Sequence, residues 1–241
     1  MNDHDNSWIR KQVGGIAAGS QLDLYVGIHK GQRGKFFDIA RKAGTVDYYD
    51  QDSLDKLYYE LIAFREHMRL HASLEEKFIH PFLSERIPGG ARKLESDHRM
   101  MRQQFDDIVT QFEGIGARST ESEMSRELVL EFYRAWNRFA SFYFMHINKE
   151  EENVQPTLWK ICTNKELAET FKAILASQNP EELKYNLQIM LPAMNMYERA
   201  ELINAGRANI PPQVFQGVLK LAEQVLSPDD WTVLKSKIRI E

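Results

Sequence analysis

Residues 71–81 read His71-Ala-Ser-Leu-Glu75-Glu76-Lys-Phe-Ile-His80-Pro81, and residues 146–156 read His146-Ile-Asn-Lys-Glu150-Glu151-Glu152-Asn-Val-Gln155-Pro156. The two align without a gap as His-x3-Glu-Glu-x4-Pro. Two shorter stretches align as well, His29-Lys-Gly-Gln-Arg33 and His98-Arg-Met-Met-Arg102, both His-[Lys/Arg]-x-x-Arg. Each stretch lies in a long segment with apolar residues at helical spacing and little strict alternation. The periodicity predicts helices over 22–42, 53–79, 91–112 and 120–154. Pro88-Gly89-Gly90 breaks the second from the third, and Gly114 with Gly116 separates the third from the fourth. The short motif then falls on the first and third helices, and the long one near the ends of the second and fourth. Four long helices with short connections make an antiparallel up-down four-helix bundle. The internal repeat makes that bundle a helix hairpin used twice.

Past Cys162 the predicted helices shorten, to about 165–177, 180–190, 195–205, 212–226 and 228–238. Asn179-Pro180 and Ser227-Pro228 are helix starts, a capping residue followed by proline at the first helical position. Asp229 and Asp230 sit near the positive end of the last helix. The fold class is therefore all-α. A bundle over 1–160 is followed by a smaller all-helical C-terminal segment over 161–241. No Gly/Ser linker separates them, so the segment is expected to pack on the bundle.

The repeated residues carry specific chemistry. Residues four apart in a helix lie on nearly one face. His71 and Glu75 can reach one point inside the bundle, as can His146 and Glu150. Glu76 and Glu151 are five from their histidine and would point well off that face. Antiparallel pairing brings His29 and His98 to a common depth with them. Four imidazoles and two carboxylates make a poor core without an ion, because buried ionised carboxylates are costly unless paired or metal-bound. Nitrogen and oxygen donors without thiolate suit Fe, Mn, Zn or Cu. Two carboxylates placed symmetrically suit the bridging of two ions, with three ligands from each half. Only 7 histidines occur in the chain, and four fall at matched positions of a duplicated pattern.

Other polar residues have simpler readings. His67, one turn before His71, supports a ligand from behind, is a ligand for a distorted site, lines an access channel, or is a partly exposed polar residue. Tyr25, one turn before His29, lines the site or belongs to the core. Arg33 and Arg102, one turn after their histidines, pair with carboxylates near the site or are simply solvated or salt-bridged. His80 stands at a helix end, where a polar side chain is favoured anyway. His4 lies in an acidic, polar tail, and the acidic run beyond Glu150 reads as a wet face.

Composition bounds the rest. At 43% apolar and 27% charged residues, the 241-residue chain has ample core, and disorder is excluded as its main state. A net charge of −4 makes nucleic acid a poor partner. A single cysteine, Cys162, rules out an internal disulfide and any multi-Cys zinc site. The start carries no apolar signal core, and the most apolar stretch, 128–145, is interrupted by Glu131, Arg134 and Arg138. The expectation is a cytoplasmic protein without membrane association.

The residues quoted above resemble the hemerythrin-like, HHE cation-binding domains, over about 22–159. The resemblance implies a non-haem di-iron centre with carboxylate and oxo or hydroxo bridges. Carried over position by position, His29, His71, His98 and His146 would be imidazole ligands, and Glu75 and Glu150 the bridges. Mn or Zn could stand in for Fe. Oxygen-carrying members have a further histidine four residues after the third-helix His, where this chain has Arg102. They also place a carboxylate five residues after the last His, where this chain has glutamates at both four and five. The pattern here is more symmetric and one imidazole poorer, which leaves a coordination position for water, O2, peroxide or a substrate. The C-terminal segment, with Arg199, Arg207, Pro211-Pro212, Phe215 and Trp231, looks like an extension seen in some bacterial members. It is expected to cover the bundle or form a homodimer face.

The leading expectation is a protein whose two irons bind or react with O2, peroxide or a related small oxidant, for storage, sensing or detoxification. One rival is a di-iron oxidase or oxygenase, with a substrate-sized pocket lined by Tyr25, His67 or Tyr143. Another is a regulatory module whose metal stabilises the bundle while the tail engages a partner.

Overall fold

The computed structural model describes residues 22–116 and 123–238, and contains helices but no strand among them. In chain order these are α1 (Val26–Thr45), α2 (Gln51–Phe78), α3 (His80–Arg86), α4 (Arg92–Gly116), α5 (Glu123–Lys149), a π-helical turn (Glu150–Val154), α6 (Gln155–Ile161), α7 (Asn164–Ala176), α8 (Pro180–Ala193), α9 (Met196–Asn209), α10 (Pro212–Val225) and α11 (Pro228–Ile238). No helix among the described residues is long and apolar enough to cross a membrane. His4 and the expected fourth-helix start at Thr120 lie outside the described residues.

α2 ends at Phe78 and the π turn at Val154, before Pro81 and Pro156 as the sequence predicts. Each proline then lies in the first turn of a new helix, α3 or α6, where it loses no intrahelical hydrogen bond. One boundary differs from the sequence expectation for a physical reason. Gly114 and Gly116 fall inside α4 rather than after it, since a helical glycine costs only about 1 kcal/mol relative to alanine.

The chain folds as two compact units, residues 35–149 and residues 1–34 with 150–241. The division falls within α1 and at the start of the π turn.

In the 35–149 unit the helices run antiparallel, as side-chain pairs of opposite progression show. Between α2 and α4, Tyr58 donates to Glu113 at 2.7 Å, Arg69 to Asp106 at 2.6 Å and Arg102 to Glu76 at 2.9 Å. Between α4 and α5, Phe112 meets Phe132, Phe105 meets Trp136 and His98 meets His146. Phe36, fully buried on α1, is the hub of the core, in ring contact with Phe64, Trp136, Phe139, Tyr143 and Phe144. The indole Nε1 of Trp136 donates to the Phe36 carbonyl at 3.1 Å, so this large ring is buried without an orphaned donor.

In the other unit, α8 to α11 enclose a separate apolar core around Leu191, Ile203, Phe215, Ala222 and Leu234. Capping boxes start α7, α8 and α9 at Thr163, Asn179 and Asn195. Buried Arg199 donates to the Leu191 and Pro192 carbonyls at 2.7 and 3.2 Å, satisfying the end of α8, and pairs with Asp230 at 3.0 Å. The first turns of α1 belong to this unit. Lys30 is ion-paired with Glu198. Gly31 is packed so closely on α8 that a Cβ there would stand 3.0 Å from the Ile189 backbone carbon and 3.0 Å from the Met190 nitrogen. A helical backbone cannot yield as a side chain can. We expect Gly31→Ala to destabilise despite its better helix propensity, because overpacking costs about 1–3 kcal/mol against a gain of up to about 1. A drop of roughly 2–4 °C in melting temperature is the expected reading, and a rise would contradict this packing.

Candidate metal centre

Within the 35–149 unit, α2, α4 and α5 bring His71, Glu75, His98 and His146 together. Glu75 is almost wholly buried. One of its oxygens lies 3.1 Å from His71 Nε2 and the other 3.2 Å from His98 Nε2. His98 Nε2 is in turn 3.1 Å from His146 Nε2. Burial would push the Glu75 carboxyl up, but His71 and His98 outweigh it and hold the group well below the usual carboxylate range.

The other unit carries His29 and Glu150, both fully buried, with Nε2 and Oε2 3.5 Å apart. Tyr25 is also fully buried, its ring tilted against His29 at 5.4 Å. Asp23 accepts from the Tyr25 and Val26 backbone N–H groups at 2.8 Å each, anchoring the start of α1. Burial raises its carboxyl above the ordinary value.

The donor set fits a metal ion. Bonds of about 2.1 Å at right angles separate neighbouring ligand atoms by about 3 Å. The 3.1 and 3.2 Å spacings from His98 Nε2 to His146 and Glu75 match such neighbours. Imidazole nitrogen and carboxylate oxygen without thiolate suit a first-row transition ion. These groups could hold a cation.

Sequence reasoning missed the partners behind the donors. Glu76 does point off the face of its own His71, as its position about 140° around the helix requires, but that turns it onto α4. There Glu76 Oε1 lies 3.0 Å from His98 Nδ1 and receives Arg102 at 2.9 Å. In the other unit, Glu151 Oε1 lies 3.0 Å from His29 Nδ1 and receives Arg33 at 2.7 Å. Both carboxyls are raised by burial and then lowered further by the arginine and histidine beside them, Glu151 to about 2. Glu151 is therefore not part of the wet face, whereas Glu152 is exposed.

Asp97, fully buried, is the third such carboxylate. It takes Lys93 at 2.6 Å and lies 3.6 Å from both His146 Nδ1 and Lys149 Nζ. It offered no motif signal beyond its place before His98. His80, at the start of α3, is buried, and its ring stacks on His98 at 5.3 Å. His67 is buried too, between Phe64 at 5.9 Å and His71 at 6.4 Å.

A small pocket in the 35–149 unit opens beside these donors. Its polar wall includes His71, His98 and His146, and its apolar wall Met101, Phe105 and Tyr143. About 20 Å³ is open to the centre of a water-sized molecule, enough for one or two such molecules.

No curated protein and no solved structure matches this chain. The family model of the hemerythrin HHE cation-binding domain matches residues 21–158. That match spans more than half of the 241 residues and covers every donor described above, so the chain belongs to the hemerythrin HHE cation-binding family.

Proposed function

We propose that the chain binds a pair of iron ions through His29, His71, Glu75, His98, His146 and Glu150, and uses them on O2 or a related small oxidant. The family match supports cation binding. The duplicated pattern supports two ions, since each repeat supplies two imidazoles and one carboxylate. Glu75 carries the reading: a buried carboxylate touched by two imidazoles, one of which faces a third. Bound iron supplies one-electron chemistry and Lewis acidity.

The chain's own residues supply the rest. Glu75 and Glu150 bring negative charge to a dry interior, where it favours a cation. The imidazoles contribute neutral donors, and Phe105, Phe139 and Tyr143 restrict water beside them. The pocket sets His71, His98 and His146 against Met101, Phe105 and Tyr143, a lining that suits a small oxidant.

The test is an anaerobic purification with ferrous iron, a metal count per chain, and exposure to O2 while visible absorption is followed. Two irons per chain and an absorption change on exposure are expected. One iron or none, or preferential retention of zinc, overturns the iron pair. Two irons whose spectrum ignores both O2 and peroxide overturn the oxidant chemistry.

A further inference from the structure

The two Arg–Glu–His contacts are copies of one another, and the copying is crossed. His29, Arg33 and Glu151 in one set correspond by sequence repeat to His98, Arg102 and Glu76 in the other. In each, a single carboxylate oxygen meets the histidine Nδ1 at 3.0 Å and the arginine at 2.7 or 2.9 Å. In each, the glutamate comes from the opposite repeat to the histidine it holds. Neither glutamate is at the ligand spacing of four, and neither arginine is a metal donor.

We infer that Glu76 with Arg102, and Glu151 with Arg33, are positioning pairs that fix His98 and His29 as Nδ1–H tautomers, leaving Nε2 to face the ligand site. An ionised carboxylate can only accept a hydrogen bond, so the Nδ1 that meets it carries the proton. In the neutral ring the lone pair is then left to Nε2, whereas in the protonated ring Nε2 carries a proton as well. That is the atom found 3.2 Å from Glu75 in His98 and 3.5 Å from Glu150 in His29. The arginine keeps the carboxylate ionised and fixes its rotamer, which sets the plane of the ring. Arg102 thus acts through Glu76 on His98, and Arg33 does the same through Glu151 on His29.

This inference rests on the proposed metal reading only for its consequence, not for the tautomer. Two readouts separate them. The first is nitrogen NMR of the metal-free protein, labelled in its histidines and held at a pH where the nitrogen shifts themselves show neutral rings. His29 and His98 are expected as Nδ1–H. Glu151→Ala should release His29, and Glu76→Ala should release His98, to a mixture of tautomers. The glutamine variants keep an acceptor and should retain the tautomer. The second readout is iron affinity by chelator competition. Each alanine variant should bind about 10- to 100-fold more weakly, a range typical of lost outer partners, and each glutamine variant should fall between it and the parent.

Folded alanine variants with the parent's tautomers and affinity would overturn the inference. Should an alanine variant not fold, the matching glutamine variant decides, and unchanged affinity there would overturn it. A parent protein that takes up no iron sinks the metal reading, and the tautomer measurement then decides the positioning role alone.

Discussion

Glu75→Ala should abolish most of the stabilisation that iron confers. A ligand present at a thousandfold excess over its dissociation constant adds about 4 kcal/mol to a folded protein, or roughly 8–16 °C for a chain of this length. Glu75 is the side chain best placed to lose it all, because its two oxygens meet His71 and His98 separately. Its removal disconnects two imidazoles at once. The measurement is thermal melting of parent and variant, each with and without ferrous iron. The parent's midpoint should rise with iron and the variant's should hardly move. An equal rise in both would mean that Glu75 binds nothing.

Phe36→Ala should cause the largest loss that does not depend on metal. Deleting a buried phenylalanine costs about 3–5 kcal/mol, because the cavity left behind relaxes only partly. Phe36 contacts five aromatic rings drawn from α2 and α5, and rigid rings collapse into a void poorly. The midpoint should fall by roughly 6–20 °C, with iron uptake at low temperature preserved. A fall of a degree or two would show that this core can repack.

The helices were legible from the sequence because their apolar period runs unbroken for many turns and the repeat marks equivalent positions on each. The same repeat marked the six residues proposed as donors, since a duplicated His-x3-Glu is hard to place by core packing alone. Chemistry one step further out was not. Glu76 and Glu151 are at the wrong spacing for their own helix, and only the neighbour across the interface gives them a purpose. Asp97 and His80 are polar residues whose burial depends on tertiary packing, which a one-dimensional pattern does not carry. The prolines marked helix ends correctly, and each also starts the next helix.

The crossed glutamates bear on how such a chain could have arisen. A lone helical hairpin with this pattern cannot hold its own histidine, since its glutamate turns outward. Each histidine takes its carboxylate from the other repeat, so a copy of the hairpin became complete only beside its double.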